Sequence, residues 1–249
     1  MLSIIIVNYR SEQYLEKCLA SIYQKSNSEQ LEIIIVNNDQ QVDLLEMKQK
    51  YPAIKLIKQE NNVGFGRACN VGAGEAQGEL LLFLNPDTQF LDDYASQIIA
   101  KFKANAQIGV VGPRLITDEG ETQEWCAGKD VTIWRLIKNN LWIIESKKIW
   151  ESTRATSVDW VSGAALVIKR DLFEKIGGFD KEFFMYGEDM DLCRQAKVLG
   201  YSIFYYPDIA VLHSGGKSRE SWLKQKLQFY KSSAYYLIKK HKRGLKVQK

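Results

Sequence analysis

The chain has 249 residues, 45% of them hydrophobic and 26% charged, which is typical of one globular domain and excludes a disordered chain. Its four cysteines lie far apart and form no C-x-x-C pair, which argues against a disulfide framework or a thiolate zinc site and favours a reducing compartment. The net charge of +4 is unevenly divided, because residues 217–249 carry +10 and residues 1–216 carry −6.

Short apolar runs alternate with helical patterns in the first half of the chain. The runs predict strands buried on both faces at residues 4–7, 31–36, 54–57, 80–84 and 108–111. Apolar residues at helical spacing predict helices over 14–22, 65–77 and 91–105. This alternation predicts an α/β fold with a mostly parallel central sheet flanked by helices, in which ligands bind at the carboxyl ends of the strands. The first run lacks the features of a secretory signal, and no run reaches the ~18 apolar residues that span a bilayer, so we expect a soluble or peripheral protein.

Residues 113–160 interrupt the alternation. They hold five of the six tryptophans and show no strand periodicity. Regular patterning resumes with a predicted strand at 161–169 and a short helix at 171–176. We therefore expect the second half to continue the same domain.

The glycines of common nucleotide-binding loops are missing where those loops need them. The turn after the first strand, residues 8–11, contains no glycine, and residues 64–69 lack the third glycine of a dinucleotide fingerprint. Residues 216–218 read Gly-Lys-Ser without the upstream spacing of a phosphate-binding loop. These absences argue against an NAD-type oxidoreductase and against ATP chemistry.

A polar turn follows the predicted strand at 80–84. It places Asp87 at the carboxyl edge of the sheet, behind Pro86, which fixes the backbone. An aspartate at such a turn can hold a divalent cation that bridges two phosphates. Asp87 or Thr88 can equally cap the helix that follows.

Three carboxylates, Glu188, Asp189 and Asp191, follow an aromatic run near a helix start. The helix dipole alone can stabilise them, or an aspartate walled by aromatic rings can act as a general base. In the second case Glu188 would cap the helix and Asp191 would pair with an arginine. His213, one of two histidines, follows a predicted strand and is either structural or a metal ligand.

Taken in order, these segments resemble family 2 glycosyltransferases with the GT-A fold, especially the bacterial rhamnosyltransferases of cell-surface polysaccharide synthesis. The resemblance spans residues 3–218. Its motifs are SIIIVNY (3–9), NNVGFG (61–66) with Asn70 and Gly72, LNPDT (84–88), WVSGA (160–164), GGFD (177–180) and GEDMDL (187–192). Each motif is weak alone, whereas their common order and spacing are specific.

The resemblance implies roles for single residues. Asp87 matches the family's Asp-x-Asp anchor for the metal and the diphosphate, with Asn85 in place of the first aspartate. Asp189 matches the catalytic base, and His213 falls where some relatives supply another metal ligand. The residues expected to bind the nucleotide sugar are Asn8, Tyr9, Asn37, Asp39, Asn62, Gly64, Phe65, Arg67, Asn70, Asn85 and Asp87.

One position departs from the family's pattern. Relatives commonly carry Asp-Asn after the second strand, and the carboxylate accepts the imide proton of a pyrimidine. This chain carries Asn37-Asn38 followed by Asp39. Either Asp39 or an amide therefore fills the role, and UDP- and dTDP-linked donors both stay open.

The activity that the resemblance implies is inverting transfer of a sugar, for which this branch indicates rhamnose, to a hydroxyl of a saccharide or lipid-linked saccharide. Asp189 would deprotonate that hydroxyl, and Mg²⁺ or Mn²⁺ held by Asp87 and His213 would neutralise the departing diphosphate. The alternative is a catalytically silent nucleotide-sugar-binding or scaffold subunit. A nucleic-acid-binding function rests on the basic tail alone, and we expect no nucleic-acid partner.

Two regions lie outside the motifs. We expect a GT-A domain over 1–216 and a basic helical tail over 217–249, with the oligomeric state open. Residues 125–150 are predicted either to form the acceptor-side wall, through Trp134 and Trp142, or to belong to the core.

The tail has the pattern of a basic helix that lies on an anionic membrane. Its apolar residues at helical spacing are Leu223, Leu227, Tyr230 and Ala234, and the lysines expected on the remaining surface are Lys224, Lys226, Lys231, Lys239 and Lys240. The alternative is that the apolar stripe packs on the domain and the lysines are solvated, and the two arrangements can hold together. We accordingly expect a cytoplasmic protein that is peripheral at the inner face of the cell membrane.

Overall fold

The computed structural model describes residues 1–27, 30–132, 134, 135, 138, 144–215 and 222–247, and in the last helix it describes side chains from 226 to 241. The strands are β1 (Leu2–Asn8), β2 (Leu31–Asn37), β3 (Lys55–Lys58), β4 (Leu80–Leu84), β5 (Thr88–Phe90), β6 (Ile108–Ile116), β7 (Ala127–Gly128), β8 (Thr156–Ser157), β9 (Trp160–Val161), β10 (Ala165–Lys169) and β11 (Ser202–His213). The helices are α1 (Glu12–Lys25), α2 (Leu45–Lys50), α3 (Phe65–Gly74), α4 (Tyr94–Ala104), α5 (Lys147–Trp150), α6 (Arg170–Ile176), α7 (Glu188–Val198) and α8 (Trp222–Val247).

A mixed sheet forms the centre of the described part of the chain. Its strands lie in the order β3-β2-β1-β4-β10-β6-β11-β5, with β8 paired to β11, and β7 and β9 form a small second sheet. Strands β1 to β4 run parallel, and so do β6 and β11, whereas β10 is antiparallel to both β4 and β6. The predicted α/β fold with a mostly parallel central sheet is confirmed.

The carboxyl ends of the main strands meet at one edge of the sheet. Because β10 is antiparallel to both of its neighbours, β6 and β11 point the same way as β1, β2 and β4. The strands therefore end side by side at Asn8, Asn37, Leu84, Ile116 and His213. The start of β10 lies at the same edge, since its first residue pairs with the last residue of β4.

Continuous apolar runs place β1 and β4 in the core, where both faces of each strand are covered. Strand β3 was predicted to be buried in the same way, and that prediction is wrong. Lys55 and Lys58 stand exposed at its two ends, and the buried Ile54 precedes the strand. Lysines at an edge strand discourage pairing with another chain, which is the physical reason for their place here.

The single strand predicted over 161–169 is divided. It consists of β9, a turn at residues 162–164 and β10, so the chain moves from the small sheet to the central one within three residues. The turn carries two hydrogen bonds of the site described below. Its glycine was visible in the sequence, but the change of sheet was not.

Helix α8 contacts the rest of the protein through polar groups. Tyr236 is buried and donates a hydrogen bond to Asp130, 2.6 Å away. Lys239 and Lys240 form ion pairs with aspartates, so their predicted place on the free surface is wrong. The body is acidic at this surface, and the helix turns its lysine tips and hydroxyls toward those carboxylates.

The apolar stripe of α8 lies on the opposite face. Leu227 is 61% exposed and Tyr230 43% exposed, and Ala234 one turn further on is also exposed, so the alternative in which this stripe packs on the domain is wrong. The side chains of Leu223 and Lys224 lie outside the described residues. Among the helices that the structure describes, none is both long and apolar enough to cross a membrane.

Candidate active site

The predicted site residues come from the carboxyl ends of neighbouring strands. Asn8 ends β1, Asn37 ends β2 and His213 ends β11, while Asn85 and Asp87 follow β4 directly. Since these strands end at one edge, the fold brings residues from both halves of the chain together.

Asp87 and His213 face each other. The pairing of β5 with β11 sets Thr88 opposite His213, and the backbone N–H of Ser214 donates to the carbonyl of Asp87 at 3.0 Å. His213 Nε2 lies 3.3 Å from Asp87 Oδ1 and 3.3 Å from Asn85 Nδ2. Both side chains are largely withdrawn from solvent, at 9% exposed for His213 and 17% for Asp87.

Gln123 holds the imidazole, and sequence reasoning missed it. Its Oε1 lies 2.6 Å from His213 Nδ1. An amide oxygen only accepts, so Nδ1 carries the proton and donates to Gln123. His213 Nε2 then faces Asn85 Nδ2 and the Asp87 carboxylate. The one sequence signal for Gln123 was its place in the turn after β6. Gln123 lies far from every motif along the chain, so this signal was not sufficient to identify it.

The Asp87–His213 pair fits a divalent cation. An imidazole nitrogen and a carboxylate oxygen are both ligands of divalent cations, and here the two atoms lie 3.3 Å apart. Two neighbouring ligands of an octahedral cation at ~2.1 Å are about 3 Å apart, which is close to the observed separation. Among the described residues no group of three or more His, Cys, Asp or Glu could hold a metal. Such an ion would therefore complete its coordination with phosphate oxygens and water.

Asp189 sits in the first turn of α7, beneath the turn at 162–164. Its Oδ2 accepts from the backbone N–H of Gly163 at 2.9 Å, and its Oδ1 accepts from that of Met190 at 2.8 Å. Burial raises the pKa of the Asp189 carboxyl, and these two N–H groups oppose the rise. An aspartate with a raised pKa is a stronger base than a fully solvated one.

One short segment ties the two carboxylates together. Gly163 donates to Asp189, and the carbonyl of the next residue, Ala164, accepts from the backbone N–H of Asn85 at 2.9 Å. The Asn85–Asp87 turn and the start of α7 are therefore fixed to adjacent residues. This linkage gives the site a rigid frame built from three separate motifs.

Glu188 is buried beside Asp189. Its Oε2 has no hydrogen-bond partner, and burial, followed by the charge of Asp189, raises the pKa of Glu188 to about 8. It is not the residue that caps the helix, since Gly187 holds that position in the left-handed region at φ 89°. The ion pair of Asp191 is with Lys239 rather than with the expected arginine.

An amide network lies at the ends of β1 and β2. Asn8 donates to Asn37 Oδ1 at 3.1 Å, and Asn37 donates to the carbonyl of Val42 at 2.8 Å. Asp39 is buried, with its carboxylate 3.6 Å from Arg10 Nε. Asp39 therefore has a fixed carboxylate next to the position where this chain departs from the family's pattern. Tyr9, beside it, is exposed.

The loop before α3 is locked to the segment before α7. Asn62 Oδ1 accepts from Asn38 Nδ2 and from the backbone N–H of Gly64, both at 2.9 Å. Gly64 has φ 88°, and a Cβ there would lie 2.6 Å from the carbonyl oxygen of Phe184, so only glycine fits. Phe65 donates its backbone N–H to that same oxygen at 3.1 Å.

Asn70 and Arg67 make structural contacts. Asn70 Nδ2 donates to the carbonyl of Phe179, and Asn70 Oδ1 accepts from the N–H of the same residue, both at 2.8 Å. Arg67 Nε donates to the carbonyl of Lys181 at 2.7 Å. Asn70 fastens α3 to the Gly177–Asp180 motif and Arg67 fastens it to the residue that follows the motif, and a direct contact with a ligand stays a prediction for both.

The tryptophans of the irregular segment divide into two groups. Trp150 and Trp160 are buried, and their indole N–H groups donate to the carbonyls of Ala127 and Lys129. Trp134 is 74% exposed, and Trp142 lies outside the described residues. Part of the segment is thus core, and its predicted role as an acceptor wall stays a prediction.

The fold is shared with solved nucleotide-sugar transferases. GalNAc-T7, in a crystal structure with UDP, GalNAc and Mn²⁺, aligns with a TM-score of 0.66 at 16% identity. The alignment covers 86% of this chain and 43% of that one. The architecture is therefore the GT-A fold.

Residues 3–177 match the model of Glycosyl transferase family 2, and the chain belongs to that family. Rhamnosyltransferase WbbL of Escherichia coli K12 is 26% identical over 96% of this chain and 94% of its own length. The N-acetylglucosaminyl-diphospho-decaprenol L-rhamnosyltransferase of Mycobacterium tuberculosis is 24% identical over 97% of this chain and 85% of its own length. The predicted resemblance to family 2 glycosyltransferases, and to rhamnosyltransferases among them, is confirmed.

Proposed function

We propose that the chain is an inverting, metal-dependent glycosyltransferase that moves rhamnose from a UDP- or dTDP-linked donor to a hydroxyl of a lipid-linked saccharide. The names of the two relatives support the sugar, and that of the second also supports a lipid-linked acceptor. The observation that carries the mechanism is the linkage of Asp87 and Asp189 through the adjacent residues Gly163 and Ala164.

Asp189 is the base of this mechanism. Its carboxylate takes the proton of the acceptor hydroxyl while that oxygen attacks the anomeric carbon from the face opposite the diphosphate. A positioned base contributes ~10²–10⁴-fold to the rate. The backbone N–H groups of Gly163 and Met190 keep the carboxylate aimed at one place and leave its other lone pairs for the acceptor.

Asp87 and His213 hold Mg²⁺ or Mn²⁺ in this proposal, and Gln123 keeps the imidazole in the tautomer that can bind it. Such an ion, when bound, supplies a Lewis acid that neutralises charge on the departing diphosphate. The amide network at Asn8 and Asn37, together with Asp39, binds the base of the nucleotide.

The enzyme works at the inner face of the cell membrane in this proposal, held there by α8. Support comes from the outward face of the helix, where Leu227 and Ile238 are 61% and 55% exposed and Lys231 is exposed between them. The excess of basic residues in 217–249 adds attraction to anionic lipid.

Asp189→Asn tests the catalytic proposal, because the change keeps the shape and removes the basicity. We expect transfer of the sugar to fall by ~10²–10⁴-fold while the affinity for UDP or dTDP with Mn²⁺ stays within about twofold. The matched control is Asp208→Asn, an exposed aspartate whose partner is the surface residue Lys101. We expect this control to be active.

Two outcomes contradict the proposal. Transfer above a few per cent of the wild-type rate in Asp189→Asn would move the base to another group. Nucleotide-sugar binding without transfer or donor hydrolysis by the wild-type chain, over a panel of UDP-, dTDP- and GDP-sugars, would favour the catalytically silent subunit instead.

A further inference from the structure

Lys239 of helix α8 contacts helix α7 on the side opposite Asp189. The Lys239 ammonium lies 2.6 Å from Asp191 Oδ2 and also contacts the carboxylate of Asp180. Its side chain is only 10% exposed and that of Asp191 only 1%. One cation thus joins two of the chain's motifs, GGFD and GEDMDL, at a place that is closed to solvent.

Other residues of α8 near Lys239 contact the segment that leads into α7. Tyr235 donates to Asp180 at 3.0 Å, and Ser232 donates to the carbonyl of Met185 at 2.8 Å. Gln195 donates to Asp191 Oδ2 at 2.7 Å, while Oδ1 of Asp191 is buried without a hydrogen bond. The cation of Lys239 is therefore the main compensation for a carboxylate that is out of water.

Asp191 and Asp189 lie on opposite sides of α7. Two residues along a helix correspond to a rotation of about 200° around its axis. Asp189 faces Gly163 on one side and Asp191 faces Lys239 on the other. The rotation of the first turn of α7 is therefore set from both sides. Gly187, in the left-handed region at φ 89°, directly precedes this turn.

We propose that Lys239 is a positioning residue for catalysis: by pairing with Asp191 it fixes the first turn of α7, and with it the place of Asp189. The C-terminal helix is then part of the catalytic apparatus as well as an outward-facing surface. This inference rests on the proposed role of Asp189 as the base.

The test is Lys239→Met, with Lys240→Met as the matched control. Lys240 is the next residue of the same helix, and its ammonium pairs at 2.5 Å with Asp130 in the irregular segment. The backbone carbonyl of Lys240, which the substitution keeps, accepts from Arg194 of α7 at 3.4 Å. We expect Lys239→Met to lower kcat at least about tenfold and to leave the donor KM within about twofold, since binding residues stay in place. Lys240→Met should retain kcat. Lys239→Arg, which keeps the charge, should recover most of the lost kcat.

A second charge change separates positioning from a general loss of folding. Asp191→Asn combined with Lys239→Met removes both members of the pair, so no uncompensated carboxylate stays buried. We expect this double variant to be more stable than Lys239→Met alone but to keep a kcat at least about tenfold below wild type, because the pair that fixes the turn is gone. Recovery of wild-type kcat in the double variant would overturn the proposal, since the loss in Lys239→Met would then come from the uncompensated charge alone.

Hydrogen exchange gives a readout that does not depend on activity. We expect amides of residues 188–192 to exchange at least about tenfold faster in Lys239→Met than in wild type, and to be unchanged in Lys240→Met. An inactive wild-type chain would contradict the proposed function. An active chain with unchanged kcat and unchanged exchange in Lys239→Met would contradict only the positioning role.

Discussion

Glu188 and Asp189 are adjacent carboxyls with different surroundings. Asp189 accepts two backbone N–H groups, whereas Oε2 of Glu188 is buried without any partner. Burial and then the charge of Asp189 raise the pKa of Glu188 to about 8, so Glu188 holds a proton at neutral pH. In the proposed mechanism, one charge instead of two at this place leaves Asp189 as the base, in the way that neighbouring acids divide their roles.

Glu188→Gln should remove a pH dependence of stability. The folded pKa of Glu188 lies above the ordinary glutamate value of 4.5, so its contribution to stability is complete below pH 4.5 and is lost as pH rises to about 8. In urea unfolding at pH 5 to 8, we expect the free energy of unfolding of wild type to fall relative to the variant, by at most about 1.4 kcal/mol per pH unit. The exposed Glu182→Gln is the control. Parallel pH curves for Glu188→Gln and wild type would show that Glu188 is ionised throughout.

Among single residues, the sequence identifies those site candidates that lie at or just after the end of a strand. Asp87, Asn8 and His213 could be found because each closes an apolar run, and the fold then collects such positions at one edge. Gln123 and Lys239 could not be found in this way. Each acts on a motif residue from far along the chain, and that proximity exists only in three dimensions.

The short hairpin after β6 carries Gln123 to the site. Backbone bonds from Thr117 to Glu121 and from Gln123 to Leu115, both 2.8 Å, fix its shape. Gly120 turns the chain in the left-handed region at φ 84°. The hairpin is therefore a rigid support for the imidazole of His213 rather than a loose connection.

Gln123→Leu should weaken metal binding without disturbing the fold. Loss of a group that orients a histidine ligand typically costs ~10–100-fold in metal affinity. We expect that loss in calorimetric titration of Mn²⁺ into the UDP or dTDP complex, with metal-free nucleotide affinity unchanged. Glu119→Gln, at the exposed tip of the same hairpin, is the control. An unchanged Mn²⁺ affinity in Gln123→Leu would remove His213 from the metal site.

Strands were predictable from the sequence wherever the apolar pattern of a segment matches its burial in the fold. The runs of β1, β2 and β4 are apolar because helices cover both faces, and periodicity reveals that directly. The direction of β10 and the break between β9 and β10 were not predictable. Both depend on which strands the chain returns to pair with, and residue spacing carries no such signal.

The charge of the whole molecule explains the placement of α8. The first 216 residues carry −6 and the segment after them carries +10, so the two parts attract each other. The structure resolves which lysines serve that attraction: Lys239 and Lys240 face the body, and Lys231 faces outward with Leu227. Composition predicted a basic helix but could not tell its two faces apart.

Because the two faces of α8 differ, the test of membrane binding has to change the outward face alone. A deletion of residues 237–249 would remove outward-facing Ile238 and the last basic residues together with Lys239, so lost activity and lost binding could not be separated. Substitutions on the outward face alone avoid that difficulty. Leu227 and Ile238 serve this purpose because both side chains are more than half exposed.

Wild-type protein should sediment with vesicles that contain anionic lipid, should be released at high salt, and should bind neutral vesicles weakly, because each exposed Lys or Arg adds ~1 kcal/mol of attraction. Leu227→Glu combined with Ile238→Glu should abolish sedimentation and keep transfer to a soluble acceptor, since the change leaves the Lys239 face intact. Leu45→Glu, at an equally exposed leucine on α2, should bind like wild type. Equal binding to neutral vesicles, or undiminished binding by the double variant, would place the membrane contact elsewhere on the protein.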